Sequence, residues 1–564
     1  MTRSRLRNMY CKYRTVENLK AFKKQRNKCV KILRQAKKDY YKNLDIKNLT
    51  DNRKFWRSVK PLFNDKVKTS STIVLMENNK IVSEDHVVAT ILNDHFANIT
   101  KSLNIAGNNE TESTGDEISD PVTAAIEKYR SHPSVILIKN HSENIEAFDF
   151  KRASIAEVLG QVDSLDTKKA SPIGSIPAKV IKDNVDIVAS YLLDLFNKSV
   201  DRNSFPDEMK DGDVRALFKN SDSFQKKNYR PITVLPSVSK VFERLLANQM
   251  LPIVNKFLSP KICGYRQGYN TQHALLKLVD TCKKTLDNKG FVGAVLMDLS
   301  KAFDCLNHEL LLAKLEAYGF STSSIRMMHS YLTGRRQRVK VNGSFSSWKE
   351  MKLGVPQGSV LGPLLFNIFI NDIFLLLNET EICNYADDTT IYCSHQELQE
   401  VTLRLENDAA KLSNWFAENF MKLNEEKCHL LVFGEKDREI SINIGPSVIK
   451  ESNEEKLLGV VIDQKLNFKQ HSDMVCRKAS QKLHALVRAS TYMPKEKTRM
   501  VMRSFIMSQF SYCPLIWMFH DRHINAKINQ IHERALRIAY QDHTSSFEEL
   551  LITDKSASIH QRNL

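Results

Sequence analysis

The chain has 564 residues, enough for two to four structural units, and its 42% hydrophobic and 26% charged composition is that of a globular protein rather than a disordered, collagen-like or mucin-like one. The formal net charge of +18 is unevenly placed: residues 1–70 hold 22 Lys and Arg against 5 Asp and Glu, while the remainder carries 61 basic and 60 acidic groups. Such an arm suits a polyanion, of which nucleic acid is the commonest.

The ten cysteines are scattered without a C-x-x-C pair. A disulfide framework or zinc knuckle is therefore not expected, and a reducing compartment is. The N-terminus has no apolar core of signal-peptide length. The most apolar stretch, 360–377, is interrupted by Pro363, Asn367, Asn371 and Asp372, so no membrane span is expected. The expected location is intracellular, in nucleus or cytoplasm, and not secreted.

Along the chain, Phe22, Cys29, Leu33, Ala36, Tyr40 and Leu44 recur at helical spacing among lysines and arginines, predicting a basic amphipathic helix over 16–44. Phe55-Trp56-Arg57 and Pro61-Leu62-Phe63 read as aromatic anchors, for packing rather than base stacking. The acidic run at 108–120 reads as a mobile loop, and 151–200 as helical with a break at Ser171 to Pro177. No repeat of 20 to 50 residues is present, so a solenoid or propeller is not supported.

Phe291-Val-Gly-Ala-Val-Leu-Met297 is an apolar run that predicts a buried central strand delivering Asp298 at its end. Helix-forming sequence follows from Lys301 to Tyr318. Gly354 to Pro363 is a turn-rich entry to an apolar helix reaching about Leu377. Ile382 to Tyr385 and Thr389 to Tyr392 then flank Ala386-Asp387-Asp388, predicting a hairpin with two carboxylates at its tip. The residues 466–564 are helical in pattern, with one stripe of Val475, Ala479, Leu483 and Leu486 and another of Ile524, Ile528, Ile531, Ala535 and Ile538. A generic helical bundle would carry the same stripes.

An Asp-Asp pair in a turn is ordinarily turn chemistry, and Asp298 alone could cap a helix. Together, a strand end and a hairpin tip can bring three carboxylates to one place. Two such charges about 4 Å apart repel by roughly 4 kcal/mol at an effective dielectric near 20. A cation relieves that cost, and oxygen-only ligands select magnesium or manganese. The chemistry that follows is two-metal phosphoryl or nucleotidyl transfer.

The ordered motifs resemble the reverse transcriptase of jockey-like non-LTR retrotransposons (LINEs). Asn228-Tyr-Arg-Pro-Ile-Thr-Val-Leu-Pro236-Ser-Val-Ser-Lys-Val-Phe-Glu243 and Gly264-Tyr-Arg-Gln-Gly-Tyr-Asn-Thr-Gln-His-Ala274 are similar to the two fingers motifs. Asp298-Leu-Ser-Lys-Ala-Phe-Asp304 corresponds to motif A, Gly354 to Pro363 to motif B, and Tyr385-Ala-Asp-Asp388 to motif C. Leu423-Asn-Glu-Glu-Lys427 is similar to motif D, and Lys456 to Asp463 to the primer grip of motif E.

The resemblance implies an α+β right-hand polymerase: fingers, a ferredoxin-like palm with an antiparallel sheet, and a helical thumb, with a helical N-terminal extension. The expected division is a basic arm at 1–70, a helical extension at 71–204, fingers and palm at 205–465, and thumb and C-terminal region at 466–564. It implies an RNA-directed DNA polymerase that extends a DNA 3′-hydroxyl on an RNA template, with dNTPs and two Mg²⁺ or Mn²⁺ ions. Asp298, Asp387 and Asp388 would hold the ions, and Lys427 would protonate the leaving pyrophosphate. Lys219 and Arg230 would meet the incoming triphosphate, unless they are solvated surface charges. Phe303 would exclude a 2′-hydroxyl, unless it is a core residue. Gln357 and Gly358 would line the nucleotide pocket. Arg266 would contact the template or serve structure, and Arg477, Lys478, Lys482 and Arg488 would track a duplex backbone.

The family commonly begins with an endonuclease, and this sequence starts in what resembles the linker after it. Ser171 to Pro177 lacks the Asp usual in the family's loop, and no cysteine-histidine knuckle follows the thumb. A rival expectation is a catalytically idle relic or a domesticated nucleic-acid-binding protein.

Overall fold

The computed structural model describes residues 2–63, 73–98, 120–141, 147–219, 221–435, 437, 439–519 and 522–563. The acidic run at 108–119 lies outside the described residues. The chain divides into two compact units, one of residues 1–69 with 459–564 and one of residues 70–458. Among the described residues no helix is long and apolar enough to cross a membrane.

The larger unit is built on two sheets. In the first, Phe291–Met297 runs between Asp388–His395 and His429–Phe433, with Glu381–Tyr385 at the far edge, and every neighbour is antiparallel. The six residues Val292 to Met297 are buried, as a strand covered on both faces requires. The helix Leu398–Glu418 packs so closely on this strand that a Cβ on Gly293 would stand 2.4 Å from Leu405 Cδ1. A side chain at 293 would require Leu405 and Val401 to shift.

The second sheet orders Tyr229–Val234, Gly212–Phe218, Arg336–Val341 and Ser344–Phe345, with Lys349–Glu350 also pairing with Arg336–Val341. Alternation along its strands sends Val214, Tyr229, Val339 and Val341 to one face, where Val88, Ala89, Leu92 and Phe96 of the helix Asp85–Ala97 cover them. Arg215, Leu217, Arg230 and Ile232 project from the other face and are exposed.

Two predicted helices are interrupted. The expected helix from Lys301 to Tyr318 is two, Ala302–Cys305 and His308–Ala317, because Leu306 turns extended and the Asn307 side chain caps the second by accepting from Leu310 N. The apolar helix after motif B likewise ends at Ile370 and restarts as Ile373–Leu376. Between them Asp372 is fully buried, paired with the equally buried Lys314 at 2.7 Å and accepting from Trp415 Nε1 at 2.6 Å. The predicted break at Ser171 to Pro177 separates Ile155–Asp163 from Ala178–Asp183.

In the smaller unit the helices Lys469–Ser490, Lys495–Phe505 and Arg522–Tyr540 pack together. Val475, Ala479, Leu483 and Leu486 are buried on the first, and Ile524, Ile528, Ile531 and Ala535 on the last. Residues of the arm dock on this bundle. Phe55 is buried and its ring lies 5.9 Å from that of Phe505, Tyr41 Oη donates to the Ser58 carbonyl, and Lys497 Nζ donates to the carbonyls of Tyr41 and Lys42. The predicted apolar stripe of the long helix Val16–Asn43 is not a packing face throughout: Leu33 and Tyr40 are more than half exposed, and Tyr41 is the buried residue of that helix.

Candidate active site

Three polar segments converge past the ends of the first sheet. Thr389 pairs with Met297, and the same antiparallel register carried one step further sets Asp388 level with Asp298. Tyr385 pairs with Asp388, so Ala386 and Asp387 form a two-residue hairpin loop. Ala386 adopts a φ of 60°, a left-handed conformation uncommon for a residue with a Cβ. Its partner in that strain is Gly264: a Cβ there would stand 2.3 Å from the Ala386 nitrogen. The Gly264 carbonyl in turn accepts from Asn367 Nδ2 at 2.9 Å.

The carboxylates differ in surroundings. Asp298 accepts from Lys427 Nζ at 3.1 Å and from Asn424 Nδ2 at 3.4 Å, while Asn424 N donates to its carbonyl. Asp388 has its carboxyl pushed up to about 6 by burial of the acid group and by the charges of Asp387 and Asp298, with Lys219 and Arg230 opposing. Among the described residues no group of three or more His, Cys, Asp and Glu is drawn together tightly enough to hold a metal ion by itself. Asp388, whose carboxyl is raised in part by the neighbouring charges of Asp387 and Asp298, forms with them a set of oxygen donors with the chemistry a hard divalent cation needs.

The other expected residues fall into three groups. Phe303 is half-buried, stacked on Phe366 with ring centroids 4.3 Å apart and edge-on to Tyr265 at 5.6 Å. Gln357 and Gly358 lie against the Tyr229–Val234 strand: Thr233 N donates to the Gln357 carbonyl at 2.8 Å, and a Cβ on Gly358, whose φ is 128°, would stand 2.5 Å from the Thr233 carbonyl oxygen. Lys219 and Arg230 are exposed and close enough to Asp388 to act on its charge. Arg266 is engaged structurally, donating to the Ser259 carbonyl at 3.0 Å and stacking on Tyr269. Arg477, Lys478, Lys482 and Arg488 belong to the smaller unit, where Arg477, Lys478 and Arg488 are exposed and Lys482 lies partly buried over the Phe505 ring.

Four contributors were legible in the sequence only as members of motifs, without a role. Gly264 and Tyr265 belong to the second fingers motif. Asn424 holds Asp298 from both its backbone and its side chain. Glu243, buried and 117 residues away from Val360 in sequence, accepts from the backbone N–H groups of Val360 and Leu361 and so caps the helix Leu361–Ile370. Glu243 is legible in the sequence as the last residue of the first fingers motif and as an acidic residue amid the apolar face of the helix Ser237–Phe257, neither of which gives it this role.

Residues 218–462 match the family described as Reverse transcriptase (RNA-dependent DNA polymerase). The chain is 27% identical over 403 residues to the probable RNA-directed DNA polymerase from transposon BS of Drosophila melanogaster, covering 69% of this chain and 44% of that protein. It is 29% identical over 330 residues to the RNA-directed DNA polymerase from mobile element jockey of the same species, covering 56% and 36%. A third match, 29% over 289 residues, is to the probable RNA-directed DNA polymerase from transposon X-element, covering 50% and 32%. The chain thus spans less than half the length of these curated relatives. The chain is thus similar to these transposon RNA-directed DNA polymerases, and its residues 218–462 match the reverse transcriptase family.

Proposed function

We propose that the chain is an RNA-directed DNA polymerase that extends a DNA 3′-hydroxyl on an RNA template. The observation that carries this reading is that Asp298, at the end of the strand paired through Met297 with Thr389, and Asp387, at the hairpin tip, both lie close enough to Asp388 to act on its charge. In this reading the first sheet is the palm, the second belongs to the fingers, and the helices of 466–564 are the thumb.

Asp298, Asp387 and Asp388 are the residues that would hold two divalent ions, which supply activation of the attacking hydroxyl and charge neutralisation at the phosphates. Lys427, which bonds to Asp298, would give a proton to the departing pyrophosphate. Lys219 and Arg230 bind the triphosphate, as fixed cations where negative charge develops. Phe303 excludes the ribose 2′-hydroxyl by its bulk. Gln357 and Gly358 shape the pocket, the glycine allowing the backbone to lie close. The arm and the exposed Arg477, Lys478 and Arg488 supply attraction to phosphate that does not depend on sequence.

Primer extension on poly(rA)/oligo(dT) with Mg²⁺ tests the reading. Wild type incorporates dTTP, and Asp387→Asn, whose amide is a poor ligand for a hard cation, does not. Equal extension by the two proteins overturns the assignment of the site. Retained RNA binding with no incorporation by wild type is the behaviour of a domesticated binding protein.

A further inference from the structure

Asp304 has no part in the site as described so far, yet its setting is costly. It follows Phe303 on the short helix Ala302–Cys305. One carboxylate oxygen accepts from Gln357 Nε2 at 3.0 Å, and the other is buried without a hydrogen-bond partner. Burial raises its carboxyl to about 6, with the nearby Lys301 and the Gln357 bond opposing. A buried carboxylate satisfied on one side only is destabilising, and a fold that retains one has a use for it.

That use is not to hold the two chain segments together. Val355 N donates to the Phe303 carbonyl at 3.1 Å, Gly354 N to the Leu306 carbonyl at 2.8 Å, and His308 Nε2 to the Gly354 carbonyl at 2.7 Å. A Cβ on Gly354 would stand 2.8 Å from the carbonyl oxygens of both Phe303 and Asp304. The backbones are therefore already stitched, and the Asp304 side chain acts on the side chain of Gln357.

The chemistry of that contact is directional. An ionised carboxylate accepts and cannot donate, so it selects the amino end of the amide. The side-chain Oε1 of Gln357, distinct from the backbone carbonyl held by Thr233, is then the end left for a ligand. We propose that Asp304 is a positioning residue that fixes the Gln357 amide with its oxygen available to a hydrogen-bond donor of the incoming nucleotide, in register with the Phe303 ring one residue away. This rests on the reading that Gln357 lines the nucleotide pocket.

Single-nucleotide incorporation of dTTP on poly(rA)/oligo(dT), with KM and kcat separated and a melting curve on every protein, tests it with the full chain. Gln357→Ala raises the KM for dTTP by about tenfold, the worth of one good hydrogen bond. Asp304→Leu produces a rise of similar size, the double variant Asp304→Leu/Gln357→Ala adds little to either, and Asp304→Asn, which can still accept from Gln357 Nε2, recovers most of the loss. Asp304→Ser, too short to reach Gln357 and without added bulk, repeats the KM effect should the leucine variant melt early. A wild-type KM in Asp304→Leu or Asp304→Ser, or additive effects in the double variant, overturns the positioning role while the pocket stands. An unchanged KM in Gln357→Ala overturns the pocket reading, and the positioning role with it.

Discussion

Gly264 and Ala386 meet backbone to backbone: the position a Gly264 Cβ would take is 2.3 Å from the Ala386 nitrogen, at the loop that presents Asp387. A side chain could rotate out of such an approach, but a peptide nitrogen held in a hairpin cannot. Gly264→Ala is expected to displace the Asp387 loop and lower primer extension at least tenfold, with a stability loss of about 1–3 kcal/mol typical of overpacking. Paired activity and denaturation measurements check it. Unchanged extension would mean that the hairpin tip tolerates the shift.

Phe303→Val separates a sugar gate from a packing residue. If the ring bars a 2′-hydroxyl, ribonucleotide incorporation rises strongly while deoxynucleotide use falls modestly, because the discrimination comes from a clash. The stacked contact with Phe366 predicts a stability cost as well, on the order of 1–3 kcal/mol. Incorporation of dTTP and UTP by both proteins, with melting curves, distinguishes the cases, since a residue that only packs would lower both activities together.

His308 predicts a pH dependence of stability. Burial lowers its pKa from 6.5 to about 4, with its bond to the Gly354 carbonyl opposing. The folded-state pKa lies below the unfolded one, so the unfolded chain takes up the proton first. The contribution is complete above about pH 6.5 and is lost as pH falls toward 4, for a total of roughly 3 kcal/mol. Urea denaturation of wild type and His308→Gln between pH 7 and 4.5 should show the steeper decline in wild type. Parallel curves would count against this histidine as a source of acid sensitivity.

The arm makes a prediction about salt. Most of the helix Val16–Asn43 ahead of Tyr41 is exposed, so its lysines and arginines are open to a polyanion. Removing residues 1–39 leaves Tyr41 and its bond to Ser58 in place. RNA affinity of the shortened chain should fall and the slope of log K against log salt should flatten, by about 0.7 for each single-strand phosphate that the arm no longer neutralises. An unchanged slope would assign the RNA-binding surface elsewhere.

How far these features could be read in advance depended on their range. The apolar run ending at Asp298, the strands flanking Asp387 and Asp388, and the stripes Val475 to Leu486 and Ile524 to Ala535 follow from periodicity within one element, because burial of one face or two leaves a repeat in the sequence. The ordered motifs extended that reading to the family. What tertiary structure decided lies between elements. The bond from Gln357 to Asp304 spans 53 residues and that from Val360 to Glu243 spans 117, and no local pattern encodes either. The same holds for the break at Leu306, which depends on its carbonyl meeting Gly354 N, and for Leu33 and Tyr40, whose spacing promised a packing face that stays more than half exposed among the described residues. A periodic sequence specifies which side of an element is apolar. Which other segment arrives there, and whether its backbone comes within reach of a missing Cβ, is set by the packing of the whole unit.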